Sequence, residues 1–186
     1  MTEMHPDIER IVFSEEQIRT RVAELGAQIT ADFAPAVARG EQIVLVSVLR
    51  GAAMFMADLA REIKLPLAMD YMVVSSYGNA TTSSGEIRIL KDMSEATEGK
   101  HVIIAEDVID SGLTLSYLLR LFEHRAAASV TVCSLLKKDV KGQVHVPTRY
   151  LGFTCPTEFV VGYGLDYAER YRNLPYIGVL KPEVYS

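Results

Sequence analysis

The stretch Val102-Ile-Ile-Ala-Glu-Asp-Val-Ile-Asp-Ser-Gly-Leu-Thr-Leu115 decides the fold of this chain. Val102 to Ala105 is short, apolar and partly β-branched, which predicts a buried strand of a parallel sheet. The acidic pair Glu106-Asp107 comes where that strand is expected to end, and residues 110–112 are expected to form a tight turn. From Leu113 onward, apolar residues at helical spacing predict a helix. The segment is therefore interpreted as a strand, two carboxylates, a turn and a helix.

The turn and the first helical residues suit a phosphorylated, hydroxyl-rich ligand. Backbone N–H groups at a helix N-terminus are unpaired and carry a partial positive charge, so they can hold a phosphate without Lys or Arg. Gly112 lets the backbone approach the anion closely, and the hydroxyls of Ser111 and Thr114 can add hydrogen bonds. The alternative is that Asp110 or Ser111 only caps the helix.

Length, composition and charge narrow the class of protein. The 186 residues are enough for one domain with a substantial core, and 49% apolar and 23% charged residues are typical of soluble globular proteins. A net charge of −5 argues against a nucleic-acid partner. No apolar run approaches the ~20 residues that span a bilayer, and Met1 to Arg10 lacks a signal-peptide core. We expect one cytoplasmic domain over residues 1–186, with no membrane contact.

Cysteine and histidine spacing indicates neither a metal site nor a disulfide framework. Cys133 and Cys155 are isolated in sequence, so buried reduced thiols are favoured over the alternative of a disulfide. The four histidines are scattered and have no metal-ligand spacing. We assign them no role.

Strands alternate with helices along the chain, which predicts an α/β fold with a parallel sheet in three layers. Right-handed crossovers place the carboxyl ends of parallel strands at one edge. Arg50-Gly51 and the segment 107–112 are therefore expected to face one crevice. The predicted elements are a helix from Ser14 to Ala38, a strand 43–49, a helix 52–63, a strand 67–75, a strand 102–106, a helix 113–125 and a strand 130–136.

The segment from Tyr77 to Glu86 is polar and rich in small residues. A solvated hairpin tip is one interpretation. The other, a loop that closes over a binding site, is implied by the family resemblance given below.

Several motifs resemble those of the bacterial hypoxanthine phosphoribosyltransferases, a family of type I phosphoribosyltransferases. The segment from Glu106 to Thr114 is similar to that family's binding motif for 5-phosphoribosyl-1-pyrophosphate (PRPP). The likeness extends from about Ile11 to Leu180, and the motifs occur in the family's order. The other matching segments are 48–59, 75–78, 159–167 and 171–179.

The resemblance implies the type I phosphoribosyltransferase fold, with a small hood and a flexible lid loop. The implied reaction transfers the 5-phosphoribosyl group from PRPP to hypoxanthine, and also to guanine, in purine salvage. The products would be IMP or GMP and pyrophosphate. Magnesium is the implied cofactor, and a homodimer or homotetramer is the implied assembly.

The resemblance also implies roles for residues of the decisive stretch. Asp110 is expected to be the general base, beside N7 of the purine. Glu106 and Asp107 are expected to lie beneath the ribose hydroxyls and to hold a magnesium ion. The residues expected to cradle the 5′-phosphate are Asp110, Ser111, Gly112, Leu113 and Thr114.

Other motifs supply the remaining implied contacts. The loop Leu49-Arg50-Gly51, where family members often carry a non-proline cis peptide bond, is expected to bind pyrophosphate together with Arg172. Ser76 and Tyr77 are expected to lead the lid. The implied purine contacts are the Lys138 ammonium, the Phe159 ring and the Val160 backbone, and Asp166 is the implied ligand of a second magnesium ion.

Three alternatives stay open from the sequence. Lys137 competes with Lys138 for the purine contact, and Phe159 could instead fill the core. A regulatory protein could keep this fold and bind nucleotide or PRPP without catalysis. The acceptor could also be xanthine or adenine, although the match from Phe159 to Asp166 opposes adenine.

Overall fold

The structure of the chain, a computed structural model, describes residues 4–77 and 86–185. Nine strands and four helices lie within these ranges. In chain order they are β1 Ile8–Phe13, α1 Glu15–Ala38, β2 Ile43–Val48, α2 Ala53–Glu62, β3 Ala68–Tyr77, β4 Glu86–Lys91, β5 His101–Ile109, α3 Leu113–His124, β6 Ser129–Lys137, β7 Thr148–Thr154, β8 Val160–Val161, β9 Ile177–Leu180 and α4 Pro182–Tyr185.

A six-stranded sheet in the order β4-β3-β2-β5-β6-β7 forms the centre of the molecule. The strands from β3 to β7 in this order are parallel, and only the edge strand β4 runs antiparallel to its neighbour. This arrangement confirms the parallel sheet that the alternation of strands and helices predicts. It places β2 directly beside β5, so the loops after these two strands are neighbours.

The central strands are buried on both faces because successive side chains point into two different cores. Ile103 packs with the residues of α1 and α2, whereas Ile104 packs with those of α3. Helix α1 buries an apolar stripe at helical spacing, made of Ile18, Val22, Leu25, Ile29 and Phe33, and Ser14 caps the helix with a capping box to Gln17. Two helices on one face and one on the other make the three layers.

A second, three-stranded antiparallel sheet pairs β1, β9 and β8 in that order. It corresponds to the small hood that the resemblance implies. The strands β8 and β9 have two and four residues, so they are too short to give a periodic signal in sequence.

The predicted end of β5 is wrong. The strand continues past the acidic pair to Ile109, which pairs with Lys137 of β6. Val108 and Ile109 are apolar and extend the ladder, so the carboxylates of Glu106 and Asp107 lie within the last part of the strand rather than after it. The turn from Asp110 to Gly112 then follows as predicted.

Other expectations have mixed outcomes. Cys133 and Cys155 are buried and free, as predicted. Ser76 and Tyr77 end β3, and the rest of the expected lid, residues 78–85, lies outside the described residues. No helix within residues 4–77 and 86–185 is long and apolar enough to cross a membrane.

Gly26 allows α1 and α2 to pack closely. A Cβ built at Gly26 would lie 2.5 Å from the Cβ of Glu62 and 2.8 Å from its backbone carbonyl carbon. The Thr30 hydroxyl, one turn along α1, donates to the Gly26 carbonyl and accepts the backbone N–H of Lys64 just after α2. A close backbone approach at Gly26 therefore adds to the apolar side chains that the two helices share in the core.

We expect Gly26→Ala to lower the free energy of unfolding by about 1–3 kcal/mol, the usual cost of overpacking. At an exposed helix position the same change would stabilise by about 1 kcal/mol, because alanine is the better helix former. Urea unfolding measures the difference. The control is Ala27→Gly at the exposed neighbouring position, which reports helix propensity alone. A more stable Gly26→Ala variant would contradict the close packing of the two helices.

Candidate active site

The loop after β2 and the end of β5 meet at Gly51. A Cβ built at Gly51 would lie 1.8 Å from Oδ2 of Asp107, and one built at Gly164 would lie 2.0 Å from the carbonyl oxygen of Gly51. Three segments that are distant in sequence are thus in direct contact. Of the expectation that Arg50-Gly51 and residues 107–112 face one crevice, this contact confirms that Gly51 and Asp107 lie side by side.

Glycine begins the turn into α3. Gly112 is the N-cap residue, with φ of 76°, and the neighbouring Ser111 hydroxyl accepts the Leu113 N–H at 3.4 Å. A Cβ there would also lie 2.5 Å from the Val144 carbonyl oxygen. Asp110 and Ser111 are therefore not the N-cap residue, although the Ser111 hydroxyl pairs with one N–H at the start of the helix. Both residues are exposed, and the start of α3 is open to an anion.

Residues in the segment after β6 donate hydrogen bonds to the backbone of this turn. The Val144 N–H donates to the Ser111 carbonyl at 2.9 Å. The Gln143 side-chain amide donates to the carbonyls of Asp110 at 2.5 Å and Lys138 at 3.0 Å. Sequence reasoning missed Gln143, since a single glutamine in a polar loop carries no periodic or motif signal.

The acidic pair is buried where the sheet ends. The Oε2 atom of Glu106 is buried and has no hydrogen-bond partner among the described residues. Burial raises the pKa of Glu106 well above its ordinary value, and the nearby charge of Asp107 raises it further. Burial also raises the pKa of Asp107, although the Val108 N–H, which donates to Oδ1 at 2.8 Å, and the Arg172 charge oppose this shift.

The donor set of the pair fits magnesium. Carboxylate oxygens are the hard ligands that this ion prefers, and the unpartnered Oε2 atom of Glu106 leaves a coordinating oxygen available. No three His, Cys, Asp or Glu side chains in the described part of the chain form a closed metal cage. Magnesium usually keeps waters and uses one or two protein carboxylates beside substrate oxygens, so no such cage is needed.

Arg172 and Asp166 form one hydrogen-bonded unit. The Arg172 guanidinium donates to the Gly164 carbonyl at 2.7 Å and pairs with Asp166 Oδ1 at 2.8 Å. Its Nε atom is buried and has no partner among the described residues. Asp166 is therefore held beside Arg172, and its charge adds to the burial that raises the pKa of Asp107.

Arg50 extends from the loop after β2 into solvent. The peptide bond between Leu49 and Arg50 is cis. The Arg50 side chain is 70% exposed and pairs with Glu169 at 2.7 Å. Glu169 also lies 3.4 Å from Arg172, so one carboxylate bridges the two arginines. Sequence reasoning missed Glu169, because an acid beside an exposed Arg170 gives no distinguishing signal.

Lys138 lies beside Asp110. Its ammonium is 3.3 Å from Asp110 Oδ2, and its backbone N–H donates to the Ile109 carbonyl. Lys137 is the last residue of β6, where it pairs with Ile109 in the ladder. Of the two candidate lysines, Lys138 is the one with a side-chain contact to Asp110.

Phe159 is not a core residue, since 42% of it is exposed. Its ring packs edge-on against Tyr167 at 5.8 Å and lies 5.3 Å from the Tyr185 ring. The next residue, Val160, is buried and pairs with Val179 in the hood. The partly exposed Phe159 ring therefore lies directly before β8, at the edge of the hood.

Comparison with known proteins identifies the family. The phosphoribosyl transferase domain model matches residues 12–168. Hypoxanthine-guanine phosphoribosyltransferase of Bacillus subtilis is 52% identical over 183 residues, covering 98% of this chain and 99% of that protein. The bifunctional protein TilS/HprT of Listeria innocua is also 52% identical over 183 residues. This chain spans 28% of the length of that bifunctional relative.

Solved structures agree with these relatives. A hypoxanthine phosphoribosyltransferase from Staphylococcus aureus superposes with a TM-score of 0.92 at 45% identity, covering 100% of this chain and 99% of that one. The Trypanosoma cruzi enzyme in complex with IMP has a TM-score of 0.89 at 41% identity, with 98% and 100% covered. The chain therefore belongs to the type I phosphoribosyltransferase family, among the hypoxanthine-guanine phosphoribosyltransferases.

Proposed function

We propose that this protein transfers the 5-phosphoribosyl group of PRPP to hypoxanthine and guanine, forming IMP or GMP and releasing pyrophosphate. It acts in purine salvage, with magnesium as cofactor and residues 1–186 as one phosphoribosyltransferase domain. The cytoplasm is the proposed location, because PRPP is an intracellular metabolite. The relatives named above support this activity.

The pair formed by Lys138 and Asp110 is the observation that carries the proposal. The two side chains offer a donor and an acceptor 3.3 Å apart. An oxopurine presents the complementary groups side by side, with O6 as acceptor and N7–H as donor. Adenine has an amino donor at position 6, which would meet the Lys138 donor, so the pair favours oxopurines.

Asp110 would accept or share the N7 proton as N9 attacks the anomeric carbon. The turn from Asp110 to Thr114, at the N-terminus of α3, would bind the 5′-phosphate through backbone N–H groups and hydroxyls; Asp110, Ser111 and Leu113 in it are exposed. Phe159 would stack on the purine, and the Val160 backbone would bond its edge.

Glu106 and Asp107 would bind the ribose hydroxyls and hold magnesium, and Asp166 would hold a second ion. The ion would supply positive charge beside the pyrophosphate oxygens. Leu49-Arg50-Gly51 and Arg172 would bind the pyrophosphate itself, through backbone amides and guanidinium groups.

We also propose a homodimer or homotetramer. The apolar segment at the start of α2 offers one exposed side chain for such a contact, Met54, which is 46% exposed. Its neighbours Ala52, Phe55 and Met56 are buried in the core, so most of this segment is the inner face of the helix.

A spectrophotometric assay with PRPP and magnesium tests the activity, with hypoxanthine, guanine, xanthine and adenine offered separately. We expect rapid turnover of hypoxanthine and guanine and little of adenine. Folded protein that binds PRPP and converts none of the four bases would instead indicate the regulatory function.

Asp110→Asn should lower kcat by roughly 100-fold or more, because the amide cannot accept the purine proton. PRPP binding should be mostly kept, since the backbone of the turn is unchanged. Steady-state kinetics and PRPP titration measure the two effects. The control is Glu123→Gln, an exposed carboxylate near the far end of α3. Unchanged turnover in Asp110→Asn would exclude Asp110 as the base.

Lys138→Ala should lower kcat/KM for hypoxanthine by about 10- to 150-fold, the range for losing a hydrogen bond from a charged donor. Lys137→Ala is the matched control and should stay close to the parent. Equal loss in both variants, or a larger loss in Lys137→Ala, would contradict the assignment of the purine contact to Lys138.

Glu106→Gln should raise the Tm of the ligand-free protein at pH 8, by about 2–4 °C if ionisation of the buried acid costs ~1 kcal/mol. The folded-state pKa of Glu106 lies above the ordinary value of 4.5. The parent therefore loses stability as pH rises from about 4.5 toward the folded-state pKa, whereas the glutamine variant does not.

Thermal unfolding across this pH range measures the gap between the two proteins. The gap should be smallest well below pH 4.5, where the parent carboxyl is protonated in both the folded and the unfolded state. The same variant should bind PRPP with magnesium more weakly, because a ligand oxygen is lost. A glutamine variant that is less stable at pH 8 would contradict the burial of Glu106 as an unpaired acid.

A further inference from the structure

The Glu169 carboxylate forms ion pairs with both arginines that are proposed to bind pyrophosphate, Arg50 and Arg172. Its Oε2 atom lies 2.7 Å from Arg50 Nη1 and 3.4 Å from Arg172 Nη2. One carboxylate oxygen thus contacts guanidinium groups from two segments that are more than a hundred residues apart in sequence. A phosphate oxygen has the same charge sign and the same preference for guanidinium donors.

The backbone fixes Glu169 at this position. Its N–H donates to Asp166 Oδ2 at 2.9 Å, and its φ of 62° lies in the left-handed region that non-glycine residues seldom adopt. Ala168, with φ of 50°, shares this conformation. The backbone conformation of this turn therefore determines where the Glu169 carboxylate meets the arginines.

The contacts are open to exchange with a ligand. Arg50 is 70% exposed and Glu169 is 61% exposed, so their ion pair is held by weak forces that solvent screens. Arg172 is more buried, and Asp166 and the Gly164 carbonyl hold it in place without Glu169. An arriving anion could displace Glu169 from Arg50 while Arg172 keeps its position.

We propose that Glu169 sets the affinity of this site for pyrophosphate by competing with it for Arg50 and Arg172. Because the carboxylate returns to the arginines when the anion leaves, Glu169 favours pyrophosphate release. The inference rests on the proposed function, since that function places pyrophosphate at these arginines.

Glu169→Gln tests the competition because it keeps the side-chain shape and removes the charge. Inorganic pyrophosphate, titrated calorimetrically with magnesium present, should bind about two- to tenfold more tightly to the variant, the range for losing two exposed ion pairs. Pyrophosphate should also become a stronger product inhibitor by a similar factor. The difference from the parent should shrink at high ionic strength.

Glu123→Gln removes one negative charge elsewhere and should leave pyrophosphate binding unchanged. Equal tightening in both variants would overturn the inference, because net charge alone would explain it. Unchanged or weaker binding to Glu169→Gln would also overturn it and would make Glu169 a residue that positions the arginines. If Glu169→Ala and Glu169→Gln both tighten binding, the effect comes from losing the charge.

Two results separate this inference from the proposed function. A parent protein that converts no purine, yet shows tighter pyrophosphate binding on loss of Glu169, would overturn the proposed function and keep the inference. A parent that converts hypoxanthine normally, with pyrophosphate binding indifferent to Glu169, would overturn the inference alone.

Discussion

The contact between Gly51 and the Asp107 carboxylate determines the shape of the candidate site. A side chain at position 51 would overlap that carboxylate, and one at Gly164 would overlap the Gly51 backbone. The loop after β2 can therefore lie between the acidic pair and the segment that carries Asp166 and Arg172. The parallel pairing of β2 with β5 brings the first two of these segments together. Without the glycines the sheet could form, but its edge could not close into this site.

The same edge uses carboxylates in two different environments. Glu106 and Asp107 lie within the strand, where burial raises their pKa and disfavours the charged forms. Asp110 follows the strand, is exposed, and lies beside the Lys138 ammonium. The buried pair is thus suited to a cation or to hydroxyl groups that offset the burial, whereas the exposed acid is open to contact with a ligand. Glu106 and Asp110 are only four residues apart. Their environments differ because β5 ends at Ile109, between the two residues.

Sequence reasoning succeeded where a period or a motif was present. The stripe of α1, the alternation of strands and helices and the turn from Asp110 to Gly112 all followed from local patterns. The end of β5 was misplaced because Glu106 and Asp107 look like turn residues, while the pairing of Ile109 with Lys137 depends on a neighbouring strand. Phe159 could not be assigned to core or surface from sequence, since its exposure depends on how the hood is packed.

Glu169 and Gln143 show what a motif cannot supply. Each acts through contacts that join distant segments, Glu169 between two arginines and Gln143 between the turn and the loop behind it. Contacts of this kind cannot be predicted from the amino-acid composition or from the spacing of residues along the chain. In the proposed competition, a carboxylate held beside the arginines would lower the affinity of the site for an anion without removing the guanidinium donors. The placement of an acid among cations is therefore consistent with a site that must release pyrophosphate as well as bind PRPP.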